Sequence, residues 1–279
     1  MSFPGDEIGY WSELKLEILD KYAHAYSTIL SSQKNPRLFH VYIDGFSGSG
    51  FHISKTTGEV VDGSPIKALA VTPPFREYFF VDLAGEKVDA LRKTVGARPD
   101  AHVLHGDSNE ILLRDVFPRV KYNDYRRGLC LLDPYGLHLK WKVIEAAGRL
   151  KTLDLFLNFP IMDMNRNALW RSPEASPPEQ RDRMTVFWGD DSWRTDVYKP
   201  AKQATLFGDA PLEKQGNPQV AEAFRRRLRG VAGFDHVPEP LPMRNTTGAI
   251  VYYLFFASQR PVALKIVEEI FAKYSTRSG

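Results

Sequence analysis

The sequence is poor in the residues that build covalent or metal-bound frameworks. It holds one cysteine, Cys130, among 279 residues, which excludes intramolecular disulfides and cysteine-cluster metal sites. Its 7 histidines include no pair at the spacing of metal ligands. We therefore expect no bound metal.

The chain also lacks a long apolar run and a marked excess of one charge. No segment approaches the roughly 20 apolar residues that span a bilayer, and the first seven residues have neither the basic nor the apolar part of a secretory signal. We expect a cytoplasmic protein that does not contact a membrane. The 37 lysines and arginines against 34 acidic residues give a net charge of +3, which permits contact with nucleic acid without arguing for it.

What the sequence does contain is an alternation of apolar runs and amphipathic segments. After a first helix at 12–30, which we expect Ser12 to cap, short runs that are apolar throughout predict strands buried on both faces. Helical segments between these strands predict βαβ units and a parallel sheet. The strands are predicted at 38–43, 78–81, 102–104, 128–132 and 153–159, and the helices between them at 65–71, 85–95, 108–117 and 141–150.

The alternation of strands and helices stops in a segment rich in proline and tryptophan, 161–218, which we interpret as an insertion or cap. Recognition of substrate by this segment and a solvated surface without that function both stay open. Regularity returns with a helix at 220–231 and two strands near 234–237 and 250–257, which predict an antiparallel pair at the edge of the sheet. A closing helix is predicted at 261–274. One α/β core, formed by 1–160 and 219–279, is thus interrupted by the cap.

A glycine-rich turn, Asp44-Gly45-Phe46-Ser47-Gly48-Ser49-Gly50, follows the first strand. Open parallel sheets bind ligands at this carboxyl edge. A phosphate-binding P-loop needs lysine where Phe51 stands, and a nucleophile elbow needs glycine where Ser49 stands. The glycines also miss the dinucleotide-binding spacing. An ordinary turn and a backbone that approaches some other ligand both stay open.

The second and third strands end at carboxylates. Asp82 is placed to accept both hydroxyls of a ribose, or to cap the helix that starts at Gly85. Asp107 can accept a hydrogen bond from an exocyclic amine such as adenine N6. Alternatively, Asp107 or its neighbour Ser108 caps the next helix.

Asp133-Pro134-Tyr135-Gly136 follows the fourth strand. An aspartate and a backbone carbonyl held by proline can accept the two protons of an amino group, and the tyrosine ring can stack. Such a pocket suits a planar amine, for instance a base removed from its stack; a plain proline turn is the alternative. Asn158-Phe159-Pro160, after the fifth strand, adds an amide and a ring at the same edge.

The pattern Asp44-x-Phe46-x-Gly48-x-Gly50 followed by Asp133-Pro134-Tyr135 resembles the two motifs of amino-directed S-adenosylmethionine methyltransferases, with one proline where two are usual. A longer ordered run is similar to the three-Cys-motif partner protein (TcmP) family. That run comprises Lys15-Leu16-x-Ile18-Leu19-x-x-Tyr22, Ile43-Asp44-Gly45-Phe46, Gly63-Ser64-Pro65, Gly106-Asp107-x-Asn109, Leu132-Asp133-Pro134-Tyr135-Gly136, Asn158-Phe159-Pro160 and Phe187-Trp188-Gly189.

The resemblance implies a Rossmann-like class I methyltransferase fold, with a mostly parallel seven-stranded sheet and antiparallel C-terminal edge strands, that binds S-adenosylmethionine. The residues matched to cofactor binding are Asp44, Gly45, Phe46, Gly48, Gly50, Asp82, Leu83, Asp107 and Ser108. Those matched to catalysis are Asp133, Pro134 and Tyr135, and those we assign to substrate binding are Asn158, Phe159, Pro160 and Trp188.

Together these features predict methyl transfer from S-adenosylmethionine to an amino nitrogen of a nucleobase in nucleic acid. Two alternatives stay open: a non-catalytic partner of a three-Cys-motif protein of the radical S-adenosylmethionine type, and a methyltransferase of a small molecule or peptide. The resemblance implies such a three-Cys-motif partner. Residues 51–62, between the glycine loop and the next helix, are either a lid over the cofactor or an idle surface loop.

Overall fold

The computed structural model describes residues 6–200 and 212–275. The strands, numbered along the chain, are β1 (Asp6–Ile8), β2 (Phe39–Asp44), β3 (Phe51–Ser54), β4 (Val60–Asp62), β5 (Glu77–Asp82), β6 (Ala101–His105), β7 (Arg126–Leu132), β8 (Leu153–Phe159), β9 (Tyr198–Pro200), β10 (Leu212–Lys214), β11 (Leu241–Arg244) and β12 (Ile250–Ala257). The α-helices are α1 (Tyr10–Ser32), α2 (Ser64–Ala70), α3 (Gly85–Val95), α4 (Ser108–Ile111), α5 (Trp141–Leu150), α6 (Ile161–Asn167), α7 (Pro178–Trp188), α8 (Trp193–Val197), α9 (Asn217–Gly230) and α10 (Pro261–Ser275).

Seven of the strands form the central sheet, in the order β11-β12-β8-β7-β2-β5-β6. Strands β2, β5, β6, β7 and β8 are parallel, whereas β12 runs antiparallel to β8 and β11 antiparallel to β12. The predicted fold class is confirmed: an α/β, Rossmann-like fold on a mostly parallel seven-stranded sheet with an antiparallel C-terminal edge. The middle residues of the inner strands are mostly apolar because helices cover both faces of the sheet.

Side chains alternate along each strand between two apolar layers, one on each face of the sheet. In β8, Phe156 faces α1, where its ring lies 5.2 Å from that of Tyr22. Phe159, of opposite parity, faces α9, where its ring lies 4.6 Å from that of Phe224. The α1 layer also includes residues of α2, α3 and α10, and the opposite layer includes residues of α5, α7 and α9.

Helix α1 contacts residues at both the carboxyl and the amino ends of the parallel strands. Its Lys15 forms an ion pair with Asp133, just beyond the carboxyl end of β7. Its Tyr22 hydroxyl donates to Asp154, near the amino end of β8, at 2.7 Å. The helix begins at Tyr10 with Gly9 as its N-cap, so the prediction that Ser12 caps it is wrong. The chain becomes helical two residues earlier.

The outer edge of the sheet differs from the prediction. The segment near 234–237 is not one of the strands and contributes an isolated bridge between His236 and Ser258. The edge strand is β11 instead, which lies in the sequence between the two segments that were predicted as strands. Pro242 lies in β11 and is tolerated there because an edge strand has one unpaired side.

Residues 51–62 are regular structure. Strands β3 and β4 form an antiparallel hairpin, and β1 pairs with β3 in parallel to complete a three-stranded flap. An ion pair of 2.6 Å between Asp6 and Lys87 joins β1 to α3. The function of this flap as a lid over a cofactor stays a prediction.

The described part of the segment 161–218 packs onto the core. Met184, Trp188 and Trp193 are fully buried in the same apolar layer as β8 and α5. Residues 201–211 lie outside the described residues. The proposed domain boundaries and the recognition of substrate by this segment stay predictions.

Within the described ranges, no helix combines the length and the apolar character needed to cross a membrane.

Candidate functional site at the carboxyl edge of the sheet

Three polar side chains meet on the α1 face at the carboxyl edge of the sheet. Asp44 is the last residue of β2, and Asp133 follows the last residue of β7. Leu132 of β7 is paired with Leu157 of β8, so the next step of the register sets Asp133 beside Asn158. All three positions have the parity of strand residues whose side chains pack toward α1.

The Asp44 carboxyl group is fully buried. Burial raises the pKa of Asp44 to about 7, and the nearby charges of Asp133 and Asp82 add to this shift. Hydrogen bonds from the Ser64 hydroxyl at 2.6 Å and from the backbone N–H of Phe46 at 3.2 Å oppose it. Ser64 does not cap the helix that it begins: Gly63 is the N-cap of α2, and the Ser64 hydroxyl donates to Asp44.

The glycine loop presents its backbone to open space. Gly48 has a positive φ of 62°, and a Cβ built on it meets no atom of the described chain within 4 Å. Gly45, in contrast, lies against Leu132, where an added Cβ would come within 2.9 Å of a methyl group. Phe46 is half-buried at the edge of the core. The loop is thus anchored on one side and accessible at Gly48.

Asp82 holds the glycine loop against the end of β5. One carboxylate oxygen accepts the N–H of Gly48 at 2.8 Å, and the other accepts the N–H of Ala84 at 2.9 Å. Since Ala84 is the N-cap of α3, Asp82 does not cap that helix. Each oxygen keeps a free lone pair for a ligand hydroxyl. Its neighbour Leu83 is 71% exposed.

Asp107 is the N-cap of α4 and accepts the backbone N–H of Asn109 at 2.9 Å. The prediction that Asp107 caps this helix is thus confirmed. The Asp107 carboxylate also lies 3.9 Å from the Lys140 ammonium group. The buried Ser108 hydroxyl donates to the backbone carbonyl of Gly45, which fixes the start of α4 against the glycine loop.

A buried lysine that sequence reasoning assigned no chemical function belongs to this site. Lys15 donates to Asp133, and its ammonium nitrogen lies 5.4 Å from the centre of the Tyr252 ring. The Tyr252 hydroxyl donates to the backbone carbonyl of Trp11 at 2.9 Å, which holds the ring under the lysine. Burial raises the pKa of Tyr252, with the Asp133 charge adding, so the phenol stays neutral.

Two polar atoms at the site are buried without a hydrogen-bond partner among the described residues: Oδ1 of Asn158 and Nδ1 of His52. Burial lowers the pKa of His52, and the Lys15 charge lowers it further, so the imidazole is neutral near pH 7. A buried polar atom without a partner costs about 1–3 kcal/mol. Such atoms therefore indicate a place where a ligand or water donates or accepts a hydrogen bond.

The tetrapeptide after β7 divides into a buried and an exposed half. Pro134 is buried, whereas Tyr135 is 88% exposed. The Tyr135 ring lies 6.4 Å from the His138 ring. Gly136 has a positive φ of 57°, which turns the chain away after the tyrosine. A large aromatic face is thus open to solvent two residues from Asp133.

Two of the residues assigned to substrate binding lie in the core. Phe159 is fully buried against Phe224, and the Trp188 ring also packs on Phe224 at 5.4 Å. The Trp188 indole N–H donates to the Ser192 hydroxyl at 3.1 Å. The structure therefore places both rings away from Asp133, where the apolar layer needs large side chains. Pro160 is buried as the N-cap of α6.

No three histidine, cysteine, aspartate or glutamate side chains in residues 6–200 and 212–275 form a group that could hold a metal ion. Burial raises the pKa of the Cys130 thiol, which disfavours a thiolate nucleophile.

No protein-family model matches the chain, and no curated protein matches it. Among solved structures, it is similar to a protein from Legionella pneumophila at 12% identity and a TM-score of 0.46, over 92% of each chain. It is similar to a protein described as an S-adenosylmethionine-dependent methyltransferase from Listeria monocytogenes at 12% identity and a TM-score of 0.43, over 90% of this chain and 97% of that one. A third, described as such a methyltransferase from Leishmania major, has 8% identity and a TM-score of 0.38, over 88% and 82% of the two chains.

Proposed function

We propose that the chain is an S-adenosylmethionine-dependent methyltransferase. The observation that carries this proposal is the row of carboxylates around an accessible glycine loop. Asp44, Asp82, Asp107 and Asp133 follow or end four strands of one sheet edge. S-adenosylmethionine supplies a methyl group on a positively charged sulfonium and carries an ammonium group, so an acidic edge attracts it.

The residues present fit this cofactor. The Asp82 carboxylate lies beside the Gly48 backbone, the arrangement that binds ribose hydroxyls next to a glycine loop in dinucleotide-binding folds. No side chain fills the space at Gly48 in the described chain, so a ligand can approach the backbone there. The unpartnered acceptor of Asn158 offers a further hydrogen bond at the same edge.

We infer that the methyl acceptor is an amino nitrogen, and that it belongs to a nucleobase in nucleic acid. The oxygen of Asp133 that Lys15 leaves free and Oδ1 of Asn158 provide two acceptors for the two protons of an amine. The exposed Tyr135 ring provides a face on which a planar base stacks. The three residues supply what a flipped or single-stranded base needs: two acceptors and one stacking surface.

The chain's own contribution to the reaction is orientation and charge. Lys15 fixes the Asp133 carboxylate in one direction, so the hydrogen bonds to the amine direct its lone pair toward the cofactor edge. Positive charge develops on the attacking nitrogen, and the Asp133 carboxylate stabilises it. The substituted amine then loses a proton to the carboxylate or to water.

A second candidate is favoured by the same ion pair. Lys15 already neutralises Asp133, so the carboxylate could serve to fix α1 in a protein without transferase activity. We then infer, from the resemblance to the TcmP family, that the chain serves a three-Cys-motif protein as its partner subunit. Co-purification of a cysteine-rich protein with the tagged chain from its native cells supports this partner, and its failure to co-purify opposes it.

Calorimetric titration with S-adenosylmethionine tests the cofactor, with Asp82→Ala as the probe. Asp89→Ala is the matched control, because Asp89 lies on the outside of α3 and pairs with Arg92. We expect binding by the wild type and the control and a loss of at least about tenfold in affinity for Asp82→Ala. Absence of binding by the wild type contradicts the proposal.

Transfer of a labelled methyl group separates the substrate classes. The purified chain is incubated with single-stranded DNA, with RNA and with a lysate cleared of nucleic acid. Label in the nucleic acid that Asp133→Ala abolishes supports the first candidate. Label only in the cleared lysate contradicts the nucleobase, and tight cofactor binding without any transfer favours the partner subunit.

A further inference from the structure

A cavity lies at the amino edge of the sheet, at the end opposite Asp133. It has a volume of about 370 Å³, within the range of small-molecule sites. Helix α1, the start of β8 and the start of α10 form its walls. The apolar part of the lining includes Tyr26, Ile29, Leu30, Val262 and Ile266.

The inner wall of the cavity contains polar groups that form hydrogen bonds with one another. The buried Asp154 carboxylate accepts hydrogen bonds from the Tyr22 hydroxyl at 2.7 Å and from the Ser258 hydroxyl at 2.5 Å. Burial raises the pKa of Asp154 to about 6. A mostly apolar cavity with a few converging polar groups and shifted pKa values is the general form of a ligand site.

Two arginines that line the cavity lack a carboxylate partner. In the described residues, neither Arg127 nor Arg260 lies within 4.0 Å of an acidic oxygen. The Arg127 guanidinium lies 4.1 Å from the centre of the Tyr122 ring, and a hydrogen bond from Arg260 lowers the pKa of the Tyr122 hydroxyl. Burial lowers the pKa of Arg127, and the nearby Arg260 charge contributes. Both guanidinium groups therefore lie beside Tyr122, where their positive charges repel each other.

The third cation of the lining, Lys151, is already compensated. Its ammonium group lies 3.7 Å from the Asp235 carboxylate and donates to the Gln259 side chain at 3.1 Å. Among the described residues, Arg127 and Arg260 are thus the cations of the lining that form no ion pair, and the buried Asp154 charge acts on Arg260 from a longer distance.

We propose that this cavity is a binding site for a small molecule with an apolar body and one anionic group, carboxylate or sulfonate in chemistry. The apolar body lies between α1 and α10, and the anion lies between Arg127 and Arg260. Guanidinium groups bind such anions through paired, charge-assisted hydrogen bonds. This proposal does not rest on the function proposed for the Asp133 edge.

Charge complementarity decides in favour of an anion over an uncharged apolar molecule or a protein segment. Arg127 is half-buried and Arg260 is exposed, so an uncharged occupant would remove water from the Arg127 guanidinium group and leave its repulsion with Arg260 in place, which is costly. A single anion neutralises part of that charge and accepts hydrogen bonds from both guanidinium groups, although Nη1 of Arg127 also donates to the backbone carbonyl of Arg126 at 2.7 Å. The volume of the cavity suits a small molecule.

Two fluorescent probes that differ in one charge test the proposal on the full chain. Anilinonaphthalene sulfonate carries an apolar ring system and a sulfonate, and phenylnaphthylamine is its uncharged counterpart. We expect Arg260→Gln to weaken binding of the sulfonate about tenfold and to change binding of the uncharged probe less than about twofold, because the variant removes one charge-assisted contact. Arg244→Gln is the matched control. Arg244 lies in β11 beside the start of β12, whereas the cavity lies beyond the end of β12, so we expect both affinities to stay unchanged.

A variant that fills the cavity gives the second measurement. Val262→Trp adds a large ring at a position that is 56% exposed at the start of α10, so the helix can still fold. We expect it to abolish binding of both probes while the thermal unfolding temperature stays near that of the wild type. Unchanged sulfonate binding by Arg260→Gln, equal weakening of both probes, or wild-type binding by Val262→Trp each overturns the proposal.

Discussion

Lys15 and Asp133 form an ion pair across 118 residues of sequence, with 8% and 28% of their side chains exposed. The pair joins the first helix of the chain to the tetrapeptide after β7. Helix α1 is therefore part of the candidate site as well as part of the core.

Replacement of the lysine tests this ion pair. We expect Lys15→Met to lower the free energy of unfolding by about 2 kcal/mol, because it leaves the Asp133 charge partly buried without its partner. Urea denaturation measures the change. The double variant Lys15→Met/Asp133→Leu should recover most of the loss, since apolar residues replace a buried ion pair at little cost.

The matched control is Lys87→Met, which removes the more exposed ion pair with Asp6. We expect it to change the free energy of unfolding by less than about 1 kcal/mol. Strictly additive effects in the double variant at Lys15 and Asp133 would contradict their coupling.

The pKa of Asp44, about 7, predicts a pH dependence of cofactor binding. A cationic ligand favours the ionised carboxylate, so the affinity for S-adenosylmethionine should rise as the pH increases through about 7 and level off above it. Well below that pH the rise should approach about tenfold per pH unit. Calorimetric titrations across this range measure it, and Asp44→Asn should flatten the profile.

The same group has the opposite effect on the stability of the free protein. Because the folded state holds a proton that the unfolded chain has already released, the contribution of Asp44 to stability falls as the pH rises from the ordinary carboxyl range to about 7. Opposite signs for binding and for unfolding distinguish titration of Asp44 from a general effect of pH.

Tyr135 should matter for the substrate and not for the fold. Its ring is almost fully exposed, so Tyr135→Ala should change the free energy of unfolding by less than about 0.5 kcal/mol. If the ring stacks on a base, worth about 1–3 kcal/mol, methyl transfer to nucleic acid should fall at least about fivefold. Wild-type transfer by this variant would remove Tyr135 from the site.

Trp188 should show the reverse pattern. It is fully buried against Phe224, so Trp188→Ala should cost about 3–5 kcal/mol of stability. Binding of S-adenosylmethionine by the fraction that stays folded should be unchanged, as measured by calorimetry below the unfolding transition. A stable variant with weakened substrate use would instead place Trp188 at the site.

Long apolar strands were predictable and short or polar ones were not. The predictions for 153–159 and 250–257 match β8 and β12 to the residue, because both are long and mostly apolar. Strand β11 was missed because Pro242 interrupts a run of four residues, a pattern that also reads as a turn. Strands β3 and β4 are also short, and they pair with each other and with β1 and not with the central sheet.

The polar end of each strand was predictable, but the partner of Asp133 was not. Sequence order alone places Asp44, Asp82, Asp107 and Asp133 at one edge, whereas the Lys15 contact depends on how α1 packs. A signal was nonetheless present. Lys15 precedes Ile18, Leu19 and Tyr22 at helical spacing, so it is a charge on an apolar face, where burial requires a partner.

Helix α1 has 23 residues, a length of about 34 Å at 1.5 Å per residue. Lys15 holds one end at Asp133, and Tyr26, Ile29 and Leu30 line the cavity at the other. Any occupant of that cavity that displaces the helix along its axis also moves the ammonium group of Lys15. Thermodynamic linkage then requires each of the two sites to change the affinity of the other by the same factor.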